Sequence, residues 1–130
     1  MLDRVLDADA LLNANRWSAA YYLIGYAVEC GLKACILARI ETTGVIFTER
    51  KFSEDCWTHD IERLVSAANL HAARGQDIAN NQALGQNWLV VSQWNETKRY
   101  DQMSEPQARA LYEAVTDNAS GVLPWIRARW

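Results

Sequence analysis

The chain has 130 residues, half of them apolar and 22% charged, a composition typical of one globular domain. Its net charge of −3 excludes the broad basic surface expected of a nucleic-acid-binding or anionic-membrane-binding protein, while a local basic patch stays open. The three cysteines are odd in number and form no C-x-x-C pair, which indicates neither a disulfide framework nor a zinc site. We therefore expect a single reduced, cytoplasmic domain over residues 1–130, with no metal and no cofactor.

The longest nearly apolar stretch does not predict a membrane span. It covers residues 17–40 and is interrupted by Glu29, Lys33 and Arg39. The first residues carry acids early and lack the continuous apolar core of a signal peptide. The sequence predicts no contact with a membrane.

Hydrophobic periodicity predicts two helices in the first third of the chain, over Leu2–Asn13 and over about Ser18–Glu41. The second is apolar over most of its circumference, as expected for a helix in the middle of a bundle. Its remaining residues recur at steps of three and four and form a polar row. This row consists of Ser18, Tyr22, Tyr26, Glu29 and Lys33.

The sequence in the middle of the chain predicts an apolar connection followed by two further helices. The connection covers residues 42–57 and is apolar enough to pack on the bundle. A third helix is expected to begin with Thr58 as its N-cap, and a fourth to run from Asp77 to about Asn95. The apolar side chains of the connection are Val45, Ile46, Phe47, Phe52 and Trp57.

The last helix has the clearest start signal in the sequence. Ser104 and Gln107 have the spacing of a capping box, and Pro106 falls in the first turn. Pro124 is expected to kink or divide this helix. Because no segment has the period of a strand, the sequence predicts an all-α fold, an antiparallel up-and-down helical bundle of about five helices with a kinked last helix.

Three stretches of the sequence resemble the HEPN domain family. "RWSAAYYLIGYAVECGLKACIL" at residues 16–37 is similar to the family's second helix, and "THDIERLVSAANL" at residues 58–70 to its following helix. "RYDQMSEPQARALYEAV" at residues 99–115 resembles the Arg-Tyr loop that leads into its last long helix. The three blocks occur in the family's order and span most of the chain.

The resemblance implies a helical bundle that commonly forms a homodimer and is often linked to a small nucleotidyltransferase, as in toxin–antitoxin pairs. Some members are metal-independent ribonucleases, which carry an Arg, then four to six spacer residues, then a His at the start of the last helix. Arg99 matches that Arg. The window contains Ser104, Glu105 and Pro106 but no His, so the implied catalytic pattern is incomplete.

Candidate ligand-binding residues lie in the polar row and in the junction before the last helix. Arg99 is open to two interpretations: it forms an ion pair with Glu29 that fixes the junction, or it binds a phosphate. The two are compatible, since a guanidinium held by one carboxylate keeps free N–H groups. The full candidate set is Arg99, Tyr100, Glu29, Lys33, Lys98 and Tyr26, and no residue is assigned as catalytic.

We expect the histidines and most of the tryptophans to have structural or contact roles, not catalytic ones. His59 is expected to have a structural role and His71 none, and Trp88 and Trp94 are expected in the core. Trp125 and Trp130, with Arg127 and Arg129, have the composition of an interface, so the C-terminus is the candidate dimer or partner contact, with a disordered tail as the alternative.

The leading hypothesis is a non-catalytic nucleotide-binding or partner module, dimeric, acting with a nucleotidyltransferase-type partner. The alternative is a metal-independent ribonuclease that uses Arg99 with Glu29, Tyr100 or Lys98. A scaffold without any small ligand is the third reading.

Overall fold

A computed structural model describes residues 2–45 and 50–130, and in these ranges the chain is all-α with no strand. This confirms the predicted fold class. Eight α-helices and one short 3-10 helix are present in the described ranges. The α-helices are α1 (Leu2–Asn13), α2 (Trp17–Thr43), α3 (Arg50–Asp55), α4 (Ile61–Ala67), α5 (His71–Asn80), α6 (Gln82–Ser92), α7 (Glu105–Thr116) and α8 (Val122–Arg127), and the 3-10 helix is Glu96–Tyr100.

Helix α2 is the central element, as its all-round apolar pattern predicts. It is 27 residues long and packs against α1, α4, α7, α8 and the 3-10 helix. Ile24, Val28 and Leu32 on α2 are fully buried. The helix ends at Gly44, whose left-handed φ of 65° lets its N–H donate to the Ile40 carbonyl at 2.8 Å, a conformation that favours glycine.

The predicted start of the third helix is two residues too early. The N-cap of α4 is Asp60, whose carboxylate accepts from the Arg63 N–H at 3.0 Å. The Thr58 hydroxyl instead accepts from the Asp60 N–H at 3.1 Å. Both residues suit an N-cap, and the carboxylate takes the position because the Thr58 side chain already closes its own turn.

The predicted fourth helix is wrong as one element, since the chain forms α5 and α6 with a break at Asn81. This residue has an extended backbone with φ −141°, and its side chain accepts from the Leu84 N–H at 3.1 Å as the N-cap of α6. The side-chain cap compensates for the interrupted backbone hydrogen bonds. The apolar period continues across the break, so periodicity alone could not reveal it.

The capping box at the start of α7 is confirmed, with reciprocal hydrogen bonds between Ser104 and Gln107. The division of the last helix expected near Pro124 is confirmed, because α7 ends at Thr116 and α8 begins at Val122. The chain leaves the helix earlier, where the Asp117 carboxylate accepts from the N–H groups of Ala119 and Ser120. Pro124 then lies in the first turn of α8, where its missing N–H costs little.

The connection of residues 42–57 packs on the bundle in part. Val45 and Phe52 are buried, whereas Trp57 is 83% exposed. The prediction that Trp57 packs there is therefore wrong. Ile46 and Phe47 lie outside the described residues.

Two further sequence assignments can be compared with the fold. Trp88 and Trp94 lie in the core, with 4% and 3% of their surface exposed, which confirms the prediction. In the part of the chain that the structure describes, no helix combines the length and the apolar character that crossing a bilayer requires.

Candidate functional site

The junction before the last long helix is an ordered segment. Asn95 caps the 3-10 helix by accepting from the Thr97 N–H at 3.0 Å, and Lys98 forms an ion pair with Asp101 at 3.4 Å. After it, the Met103 N–H donates to the Ser18 hydroxyl at 2.8 Å. These contacts hold the segment against the first turns of α2.

Trp94 attaches this segment to α2 at Gly25. A Cβ built on Gly25 would lie 2.3 Å from the Trp94 indole ring, closer than two carbon atoms can approach. The indole also lies 6.0 Å from the ring of Tyr22. Because residue 25 has no side chain, the Trp94 ring can pack directly on the backbone of α2. The 3-10 helix that carries Arg99 begins two residues after Trp94.

The Arg99 side chain is exposed and lies over the aromatic residues of this region. Its guanidinium donates to the Tyr100 hydroxyl and is 4.9 Å from the center of the same ring. Tyr100, and to a smaller extent Tyr22, raises the pKa of Arg99 above its already high ordinary value. Arg99 is therefore a permanent cation held next to two phenol groups.

A cleft of about 580 Å³ lies between the start of α2 and the segment after the 3-10 helix. Two arginines line it, and none of the described lining residues is an aspartate or a glutamate. Of the 13 lysines and arginines in the chain, Arg16 and Arg99 are among those without a carboxylate within 4.0 Å in the described structure. The lining residues are Asn15, Arg16, Trp17, Ser18, Ala19, Tyr22, Leu23, Arg99, Gln102 and Met103.

The start of α2 adds to the positive potential of this cleft. Arg16 is the N-cap residue, and no side chain caps the helix start. The N–H groups of the first helical turn lack acceptors within the helix and carry the positive end of its dipole. A positive cleft in a chain of net charge −3 is suited to a small anion.

Glu29 does not pair with Arg99, so the predicted ion pair is wrong. Its carboxylate is buried, and its Oε1 accepts from Lys33 Nζ at 2.7 Å and lies 2.9 Å from His59 Nδ1. Arg99 lies beside Tyr22, seven residues earlier on α2, and seven residues correspond to roughly 10 Å along a helix. The acid and the guanidinium share one side of α2, at separate positions along it.

His59 is the residue whose position the sequence reasoning missed. Since a carboxylate can only accept, His59 Nδ1 is the nitrogen that donates to Glu29, and Nε2 is the ring nitrogen without this partner. The His59 side chain is 51% exposed, whereas that of Glu29 is 2% exposed. The signal available in the sequence was a charged residue inside an apolar helix, which requires a partner from another element.

The remaining candidates do not converge on one pocket. Lys33 belongs to the Glu29 cluster, and Lys98 is engaged by Asp101. Tyr26 connects the two regions, since its ring stacks parallel to Tyr22 at 6.3 Å. Cys30 on the next turn raises the pKa of the Tyr26 phenol, with a smaller contribution from Glu29, which keeps this hydroxyl a neutral donor.

Two of the four C-terminal aromatic and arginine residues, Trp125 and Arg129, make hydrogen bonds within the molecule. Trp125 Nε1 and the Arg129 guanidinium both donate to the Asp77 carboxylate, at 2.7 and 2.6 Å. The Trp125 ring meets Trp88 edge-on at 5.7 Å. Of the predicted interface residues, Arg127 and Trp130 remain exposed. The alternative of a disordered tail is wrong for residues 122–127, which form α8.

Comparison of the sequence with family models, with curated proteins and with solved structures gave no match. Within the described residues, no group of three histidine, cysteine, aspartate or glutamate side chains has an arrangement that could hold a metal ion.

Proposed function

We propose that this protein is a non-catalytic nucleotide-binding module and that the cleft at the start of α2 holds the phosphate of its ligand. The observation that supports this most is the pair of arginines, Arg16 and Arg99, in a cleft without acidic side chains. Arginine N–H groups match the geometry of phosphate oxygens, and a guanidinium without a carboxylate partner keeps most of its N–H groups free for a ligand.

The other side chains of the cleft suit the rest of a nucleotide. Tyr22 and Trp17 provide aromatic walls against which a base can stack. The Ser18 hydroxyl accepts from the Met103 N–H, so its own proton is available to an oxygen of the ligand. Asn15 and Gln102 add carboxamides that can contact base or ribose.

We also propose that the protein acts as a homodimer with a small nucleotidyltransferase partner, in a toxin–antitoxin-like pair in the cytoplasm. The support for this part is the order of the three sequence blocks that resemble HEPN domains. The three cysteines, Cys30, Cys35 and Cys56, are free, which favours a reducing compartment.

Calorimetric titration with ATP and GTP tests the cleft. We expect saturable binding to the wild type and affinity at least about tenfold weaker in Arg99→Ala, since one charge-assisted phosphate contact is worth roughly 1.5–3 kcal/mol. The melting temperature should stay unchanged, because the Arg99 side chain is exposed and has no carboxylate partner in the described structure.

Arg127→Ala is the matched control. Arg127 is also an exposed arginine without an ion pair among the described residues, but it lies on α8, outside the cleft. Binding that Arg127→Ala and Arg99→Ala weaken equally would indicate nonspecific charge attraction. Absence of ATP and GTP binding to the wild type would refute the proposal.

A second function is supported by one specific observation, the contact between His59 and Glu29. Metal-independent cleavage of RNA needs a group that removes the 2′-hydroxyl proton, and near Arg99 the sequence offers only Glu96 or a Tyr100 with a perturbed pKa. His59, oriented by a buried carboxylate, has the arrangement of a general base. In this alternative His59 removes the proton and the arginines hold the phosphates.

Incubation with single-stranded RNA in the presence of EDTA distinguishes the two functions. A ribonuclease would cleave the RNA, with the rate lowered by roughly 10²-fold or more in His59→Ala. His71→Ala is the control, since His71 is an exposed histidine at the start of α5. We expect no cleavage by the wild type, and cleavage that depends on His59 would instead establish the enzyme.

A further inference from the structure

A second cleft lies away from the arginine cleft, between α5 and α6. It has a volume of about 670 Å³, within the range of roughly 300–1,000 Å³ that small-molecule sites occupy. Gly85 on α6 lets the helices approach there, because a Cβ at this residue would lie 2.9 Å from Ile78 Cγ2. The groove opens beside this contact, where Gly75 contributes no side chain.

The walls of the groove are mainly apolar. Ile78, Ala79 and Leu89 line it, and Leu89 is 67% exposed. Exposed leucines are costly in water when they stand together with other apolar side chains. An apolar ligand that covers Leu89 and Ile78 would remove this surface from water.

The charged groups in this groove are already paired. Arg74, which is 9% exposed, donates to both carboxylate oxygens of Glu62 at 2.8 and 2.6 Å, and its guanidinium lies 4.9 Å from the center of a Trp88 ring. A ligand with a net charge would therefore find no free counter-ion in this pair. Charge complementarity favours a neutral occupant.

One polar group of the groove is unpaired. The indole N–H of Trp88 is buried and has no hydrogen-bond acceptor among the described residues. A buried donor without an acceptor is unfavourable. Because this N–H has almost no accessible surface, a ligand in the groove reaches it only after the indole side chain shifts, and an acceptor oxygen of the ligand then removes that cost.

We propose that the groove between α5 and α6 is a second binding site, for a neutral, flat, mainly apolar small molecule with a hydrogen-bond acceptor such as a ring carbonyl. The Trp88 side chain shifts toward the groove and its N–H donates to that acceptor, while Ile78, Ala79 and Leu89 cover the apolar part. This site is independent of the nucleotide cleft and of its proposed function.

Fluorescence titration with Nile red tests the site, because this dye is a neutral fused-ring compound with a carbonyl oxygen. We expect saturable binding of one dye per chain and affinity at least about tenfold weaker in Gly75→Leu. A Cβ at Gly75 meets no atom within 4 Å, so the leucine would enter the groove without a clash at its base. Leucine also favours a helix over glycine, so a failure to fold would not explain the loss.

Two variants serve as matched controls. Ala72→Leu places the same side chain on an exposed position of α5 that does not line the groove, and it should bind the dye like the wild type. Leu6 on α1 is a matched position for Leu89, because the two leucines are 68% and 67% exposed. Leu89→Ser should weaken dye binding, whereas Leu6→Ser should leave it unchanged.

Three outcomes would overturn the assignment. The first is wild-type protein that does not bind the dye saturably, and the second is Gly75→Leu that binds as tightly as the wild type. The third is a groove covered by a second copy of the chain, seen as dye binding that falls with rising protein concentration and a sedimentation coefficient that Leu89→Ser lowers.

Discussion

At the scale of single residues, the buried position of Glu29 determines which cationic side chains contact the polar row of α2. A carboxylate with 1% of its surface exposed needs compensating groups, and Lys33 and His59 provide them. The sequence showed that Glu29 interrupts an apolar helix, but it could not show which cation lies opposite. Arg99 was one expected partner, in a pair that would fix the junction against α2, whereas the packing of α4 on α2 brings His59 there.

The Glu62–Arg74 pair gives a pH dependence whose sign follows from the structure. Hydrogen bonds from Arg74 are the main reason that the pKa of the Glu62 carboxyl lies below its ordinary value. Stabilisation from a group with a depressed folded-state pKa is fully present above its unfolded-state pKa, about 4.3 for glutamate, and is lost as the pH falls through the lower folded-state pKa.

We therefore expect Glu62→Gln to lower the free energy of unfolding at pH 7 and to have a much smaller effect below pH 3. Urea denaturation at both pH values measures this difference. Glu113→Gln is the control, because Glu113 is exposed and has no ion pair in the described structure, and it should have little effect at either pH. A Glu62→Gln deficit that stays constant between pH 7 and pH 3 would contradict the assignment.

At the scale of helices, contact between Gly25 and Trp94 joins the Arg99 segment to the bundle. Gly25→Ala would improve helix propensity by up to about 1 kcal/mol, but the new methyl group would overlap the Trp94 ring. Because overpacking a buried site costs about 1–3 kcal/mol, we expect a net destabilisation of roughly 1–2 kcal/mol. Chemical denaturation measures it.

Gly75→Ala is the same substitution in a helix with open space around the new Cβ. It should stabilise the protein by roughly 0.5–1 kcal/mol through helix propensity alone. If Gly25→Ala proved as stabilising as Gly75→Ala, the Trp94 ring would not pack against Gly25 as described. The position of the Arg99 segment on α2 would then lack its main support.

Helix existence was largely predictable from the sequence, and helix boundaries were not. Periodicity predicted α1, α2 and the start of α7, where the apolar pattern and a capping signal agree. It merged part of α5 with α6 and placed the break between α7 and α8 at Pro124, a few residues late, because the breaks depend on the side chains of Asn81 and Asp117 closing local turns. Such turns leave the apolar period intact and become visible only in coordinates.

At the scale of the whole molecule, the proposed function rests on an uneven distribution of charge. The chain has 16 acidic residues and a net charge of −3, yet none of its described acids lines the cleft that contains Arg16 and Arg99. Sequence reasoning identified Arg99 as a ligand contact but missed Arg16, which is 83 residues away along the chain. The two meet because the segment after the 3-10 helix returns to the start of α2, where Met103 bonds to Ser18.

The most direct test of the phosphate site is a titration of the ¹⁵N-labelled protein with ATP, followed by ¹H–¹⁵N correlation spectra. We expect the largest shifts at the backbone amides of residues 17–19 and at the side-chain Nε of Arg16 and Arg99, with little change at Gly75 and Gly85. Shifts centered on His59 and Lys33, or on the groove between α5 and α6, would contradict the account, as would unchanged spectra at saturating ATP.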